Sequence, residues 1–168
     1  MDNFFLHLLW WFIFLKVMSF FTGEYDCKLD AKGRLVLPAK IKANLPEASV
    51  NTEVKEIVLS KGLDPNIIIY PILEYRKIHN KISALNDFNP EQRAFKRNFF
   101  RNIAHVELDS NGRFIVPKAM MVHAQLDREA VIVGMGNIVE LWSPPMYEKF
   151  LINDPQEYSE LAQKYMDS

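Results

Sequence analysis

The chain has 168 residues, of which 49% are hydrophobic and 24% charged, enough to bury a core as one domain or two small ones, and it reads as soluble and globular. Its formal net charge of -1 gives no global attraction to nucleic acid or to an anionic membrane, so any DNA-binding face must be a local concentration of Lys and Arg. With a single cysteine, Cys27, neither an intrachain disulfide nor an intrachain thiolate metal cluster can form, which fits a reducing cytoplasm.

Residues 1–17 contain an apolar run from Phe4 to Leu15 that only His7 interrupts. That run is shorter than the roughly 20 residues a spanning helix needs. Asp2 stands where a secretory signal would carry a basic residue, and no small-residue cleavage site follows. The sequence therefore predicts that translation starts at Met18, ahead of Ser19-Phe20-Phe21-Thr22-Gly23-Glu24-Tyr25, where an ordinary soluble domain begins.

Downstream, residues 25–29 read as a strand, Lys32-Gly33 as a tight turn, and residues 34–37 as a second strand ending at Pro38. A short helix follows over residues 39–45, since proline suits a helix's first turn. A second hairpin joins Ile57-Val58-Leu59 to Ile67-Ile68-Ile69-Tyr70 through the loop 61–66, and a helix over residues 72–85 closes the unit. Asn89-Pro90 starts the next helix, which runs to Arg101. It places Arg93, Arg97 and Arg101 on one stripe and Phe95 and Phe99 on another. Such a helix is either an amphipathic connector with solvated arginines or a surface for phosphate or subunit contacts.

The remainder repeats the beginning. Leu29-Asp30-Ala31-Lys32-Gly33-Arg34-Leu35-Val36-Leu37-Pro38 matches Leu108-Asp109-Ser110-Asn111-Gly112-Arg113-Phe114-Ile115-Val116-Pro117. Asn111-Gly112 predicts a two-residue hairpin turn with positive φ at both positions. A helix is expected over 118–124, strands at 131–133 and 138–142 around the loop 134–137, with Val131-Ile132-Val133 set against Ile57-Val58-Leu59, and helices at 145–152 and from 154 to the end. The predicted division is a first repeat over 18–87, a connecting basic amphipathic helix over 88–102, a second repeat over 103–153 and a helical tail over 154–168. The fold class is α+β.

Each copy of the Asp-x-x-Gly-Arg signature combines three roles. Asp accepts backbone N–H bonds in the turn and can brace the arginine four residues on. Gly supplies the reversal, and Arg projects a planar fork suited to phosphate or to the O6 and N7 edge of guanine. The plain structural reading is a stable hairpin with a local ion pair. Lys28, Lys32, Lys40 and Lys42 cluster in sequence around the first turn, and Lys118 and Arg128 around the second. Enzyme signatures do not emerge: the histidines His7, His79, His105 and His123 show no metal-binding spacing at a helical period, and no phosphate-cradling glycine loop is present.

The opening Phe20-Phe21-Thr22-Gly23-Glu24-Tyr25, the signatures at Asp30/Arg34 and Asp109/Arg113 and their proline-terminated apolar strands resemble the bacterial MraZ family from Met18 to the end. The resemblance implies a duplicated AbrB-like swapped-hairpin β-barrel unit with short helices and a pseudo-twofold within one chain. It also implies a cytoplasmic, nucleoid-associated transcription regulator that assembles into a ring-like homo-oligomer and binds DNA at promoter repeats upstream of the division and cell-wall gene cluster. No enzymatic activity, cofactor, membrane partner or small-molecule substrate is implied. Carried over by position, the DNA-binding residues are Asp30, Arg34, Asp109 and Arg113, with Lys32 at the first turn tip and Lys40 beside it; Asn111 stands where Lys32 does in the first copy. The alternative is a non-enzymatic protein–protein interaction or antitoxin-like module.

Overall fold

The protein is described by a computed structural model over residues 20–46 and 55–167. The apolar run 1–17 and the expected start at Met18 lie outside the described residues. In chain order the elements are β1 (Glu24–Lys28), β2 (Arg34–Val36), α1 (Ala39–Ala43), β3 (Glu56–Lys61), β4 (Ile67–Pro71), α2 (Ile72–Ser83) and α3 (Pro90–Phe100), then β5 (Ile103–Glu107), β6 (Arg113–Ile115), α4 (Lys118–His123), β7 (Glu129–Gly134), β8 (Val139–Trp142), α5 (Pro144–Phe150) and α6 (Pro155–Met166). The α+β class holds, and the elements follow the predicted order with ends shifted by a few residues. Asn89 caps α3 by accepting from Glu91 N at 2.9 Å and Gln92 N at 3.2 Å. Asp154 caps α6 by accepting from Gln156 N at 2.9 Å.

Strand pairing departs from the expected hairpins at both signatures. β1 does not run back along β2; it pairs with β7, while β2 pairs with β6, and all ladders are antiparallel. The reciprocal ladder joins β3 to β5, and β4 meets β8 at the centre. Among the described residues only β3–β4 and β7–β8 are hairpins within one half of the chain. The six-stranded sheet runs β1-β7-β8-β4-β3-β5, with β2-β6 as a separate two-stranded ribbon. Exchanging each strand for its counterpart in the other half (β1 with β5, β2 with β6, β3 with β7, β4 with β8) reverses that order without changing it. The chain is thus closed on itself about an approximate twofold axis through the Leu35–Phe114 and Ile68–Glu140 pairs.

This pairing also corrects the alignment of the copies. Asp26 faces Val131 and His105 faces Val58, so Val58 corresponds to Val131, one residue away from the expected match. Alternation explains the shift: Ile57 and Leu59, like Ala130 and Ile132, must point into the shared core. That core contains ten residues from each half and lies between the sheet and the ribbon, which contributes Leu35 at 0% exposure and Phe114 at 2%. On the sheet's opposite face α2 packs Ile72 and Tyr75 over Val58, with Phe99 of α3 against them.

Candidate nucleic-acid interface

Both signature loops are built alike. Asp30 N donates to Arg34 O at 2.9 Å and Gly33 N donates to Asp30 O at 3.0 Å; Asp109 N to Arg113 O and Gly112 N to Asp109 O repeat this at 2.9 Å each. Three residues lie inside each closing pair, and only the glycine adopts positive φ, 72° at Gly33 and 73° at Gly112. The expected two-residue turn is therefore a three-residue loop, and Asn111 keeps an ordinary negative φ. A glycine in the left-handed region at the loop's last position is the usual way to close this geometry.

The aspartates divide their oxygens between the loop and the arginine. Oδ1 of Asp30 accepts from Lys32 N at 2.8 Å and Arg34 N at 2.9 Å, and Oδ2 meets Arg34 Nε at 2.6 Å. Asp109 does the same with Asn111 N and Arg113 N at 2.9 Å and with Arg113 Nε at 2.7 Å. The backbone N–H bonds from Arg34 and Arg113, followed by the arginine side chains, hold both carboxyls below the ordinary aspartate value. Because each pair is made through Nε, the terminal amino groups of Arg34 and Arg113 keep no protein partner among the described residues.

The ribbon then sets both forks on one surface. Arg34 faces Ile115, Leu35 faces Phe114 and Val36 faces Arg113. Since Leu35 and Phe114 point into the core, Arg34, Val36, Arg113 and Ile115 share the outward face. Two arginines placed diagonally on a β-ladder are roughly 7–8 Å apart at the backbone. Further backbone bonds, Leu37 N to Gly112 O and Val116 N to Gly33 O, both 3.0 Å, tie each strand to the other copy's loop.

The surrounding lysines are distributed differently from their order in sequence. Lys32 is exposed at the first loop tip. Lys40 is also exposed, but it lines a shallow depression with Phe20, Thr22 and Tyr25, and it makes no hydrogen bond or ion pair to either loop. Lys42 belongs to the second loop: its aliphatic stem lies over Gly112 and its Nζ is 3.4 Å from Ser110 O. Its counterpart Met121 lies over Gly33. Arg128 abuts the first copy, its carbonyl accepting from Leu29 N at 2.7 Å. The strand exchange carries the Lys42 and Met121 side chains and the Arg128 backbone across the axis, which proximity in sequence does not reveal.

Sequence reasoning also passed over Val36 and Ile115. They sit in runs read as uniformly apolar, yet they are 51% and 57% exposed. The available signal was alternation from the arginine onward, which puts every second residue outside. Along α3, Lys96 is paired with Asp87 at 2.9 Å, whereas Arg97 and Arg101 are exposed. Among the described residues no group of three or more His, Cys, Asp or Glu could hold a metal, and no helix is long and apolar enough to cross a membrane.

Comparison with known proteins agrees with this duplicated arrangement. The model of the MraZ protein family, whose description likens it to an antitoxin, matches the chain twice, over residues 20–98 and 99–167. A transcriptional regulator MraZ of Cytophaga hutchinsonii is 54% identical over 149 residues, which are 89% of this chain and 96% of that protein. Proteins of the same name from Carboxydothermus hydrogenoformans and Alkaliphilus oremlandii are 37% and 40% identical over 147 and 144 residues. Those matches span 88% and 86% of this chain and 97% and 95% of the relatives.

Proposed function

This chain belongs to the MraZ family, and from that premise we propose that it is a transcription regulator that binds DNA sequence-specifically at tandem promoter repeats upstream of the division and cell-wall gene cluster. The observation that carries the reading is the shared outward face of the β2–β6 ribbon. There Arg34 and Arg113 are each clamped at Nε by an aspartate and leave their terminal amino groups open. A guanidinium fixed in this way is preorganised for a bidentate grip on guanine O6 and N7, losing little side-chain freedom on binding. Lys32, Arg128 and Lys42 stand near the loops as phosphate contacts, and Lys40 lies further out; Asp30 and Asp109 act through the arginines they hold.

The exchanged strands support an AbrB-like swapped-hairpin unit formed by repeats 18–87 and 103–153, with 88–102 joining them and 154–168 as a tail. Self-assembly into a ring has its own support. Residues 72–101, containing α2 and α3, carry seven Lys or Arg against three Asp or Glu, while residues 144–167, containing α5 and α6, carry two against five. Opposite charge on these two segments suits head-to-tail contact between copies. Several weak ribbons joined in a ring would hold tandem sites far better than single ones. The protein works by binding and not by catalysis, in the cytoplasm at the nucleoid.

Footprinting the DNA upstream of the chain's own gene tests this. The wild type should protect evenly spaced repeats, and Arg34→Ala should lose them while keeping its fold and assembly. Unchanged protection by Arg34→Ala removes the central contact. Salt-sensitive binding with no sequence preference reduces the protein to a nonspecific binder, and no binding at all favours the antitoxin-like, protein-binding alternative.

A further inference from the structure

The outward face of the ribbon is a two-by-two array. Arg34 is beside Ile115 on one rung, and Val36 is beside Arg113 on the next. Two arginines account for polar recognition, but nothing in the fold explains two exposed β-branched residues between them. Neither packs on the core, and on the outer face of this two-stranded ribbon both side chains are left in water. Their placement is specific: each apolar side chain is the direct cross-strand neighbour of an arginine from the other half of the chain.

Resting on the DNA-binding reading above, we propose that Val36 and Ile115 are specificity-determining residues that read the C5-methyl groups of thymines in the major groove. That groove admits a two-stranded β-ribbon, and its only apolar base feature is the thymine methyl, which pairs with apolar side chains as guanine pairs with arginine. Directly opposed side chains on a ladder are roughly 4.5–5.5 Å apart at Cβ. Stacked bases rise about 3.4 Å per step. An arginine and its apolar neighbour therefore address the same base step or adjacent ones. Arg34 with Ile115 forms one reader and Arg113 with Val36 the other, each drawing one residue from each half. Because the axis passes through the Leu35–Phe114 pair, the two readers face opposite strands of the duplex. The chain selects a guanine accompanied, within about one base step, by a thymine, once on each strand about a local centre.

The test begins with enrichment of a preferred site from randomised duplexes by the full chain. Each thymine in turn is then replaced by deoxyuridine, which removes only the methyl group. Burying one methyl-sized group is worth about fourfold in affinity. The wild type should lose about that factor at one thymine on each strand, next to the guanine whose replacement is most damaging. Val36→Ala should abolish the deoxyuridine penalty at one of these positions and leave the other intact, and Ile115→Ala should do the converse. Val36→Thr, which keeps the shape of the side chain, guards against any effect of the smaller residue on the ribbon. Affinity indifferent to deoxyuridine at every position, or a penalty retained in full by both alanine variants, overturns the assignment while leaving the arginine contacts standing. If no sequence is enriched, the sequence-specific reading of DNA falls, and this assignment falls with it.

Discussion

Cutting the chain between its halves should abolish the monomeric fold, and the size of the effect follows from the pairing. Of the six strand ladders, β1–β7, β2–β6, β3–β5 and β4–β8 cross between halves, and only β3–β4 and β7–β8 do not. A fragment of residues 20–98 keeps one hairpin and loses the partners of β1 and β2 altogether. It brings ten residues to the shared core: Phe21, Leu29, Leu35, Leu37, Ile41, Leu45, Ile57, Leu59, Ile67 and Ile69. If each stays only half buried, at roughly 2 kcal/mol for full burial the loss is about 10 kcal/mol. That is comparable to the whole stability of an ordinary domain, about 5–15 kcal/mol. Dilute fragment 20–98 should therefore be an unfolded monomer by circular dichroism and sedimentation, or a dimer in which a second copy supplies the missing ladders. Mixing it with fragment 99–167 should restore structure, and the intact chain should unfold in urea in one transition reported alike by different probes. A folded, monomeric half, or two separate transitions in the intact chain, would refute the reasoning.

Two further outcomes follow from the loops. Gly33→Ala and Gly112→Ala both force an L-residue into the left-handed region, at about 1–2 kcal/mol each, which lowers Tm by roughly 2–8 °C. A Cβ at Gly33 meets Met121 Sδ at an ordinary 3.4 Å, and at Gly112 it meets Lys42 Cδ at 2.9 Å, part of a flexible stem that can swing aside, so the two losses should be similar, and a loss confined to one of them would show that the left-handed backbone is not the main cost. Protonation should disturb both loops together. Asp30 and Asp109 titrate below the reference 3.8 because the folded loop favours their charged forms, so their contribution is complete above pH 3.8 and disappears as pH falls through the lowered values. Carboxyl NMR titration should place both midpoints below 3.8 and leave loop order flat from pH 5 to 8; a midpoint at or above 3.8 for either would mean that its arginine clamp is not formed in solution.

The order of elements was legible in the sequence because each has a local cause: Asn89-Pro90 and Asp154-Pro155 start helices, and prolines end the signature strands. The partner of each strand was not. Local turn chemistry cannot tell a hairpin that folds back on itself from a loop whose arms leave to join another half, since the closing bonds at Asp30 and Arg34 are the same in both cases. The off-by-one match of Val131 to Ile57 has the same origin. Similar apolar triplets align in two ways, and only the pleat, by sending Ala130 and Ile132 inward, decides between them. The two arginines were found because the motif recurs; their common face depends on the ribbon register, which no residue announces.

Strand exchange also bears on how a chain of net charge -1 could offer DNA a positive surface. Because α1 crosses to the second loop, Lys42 adds charge where the second copy has Asn111 in place of Lys32. Because the segment leading into β7 crosses to the first copy, the Arg128 backbone lies against Leu29. The second loop is thereby supplied partly by the opposite half, which reduces the imbalance suggested by residue order. The acidic excess is carried elsewhere, by residues 144–167, including α6, which buries none of its residues. The twofold therefore does more than duplicate a loop. It joins the two arginine forks across one ribbon, and Leu35 and Phe114 in the core beneath hold the paired strands that carry Arg34 and Arg113.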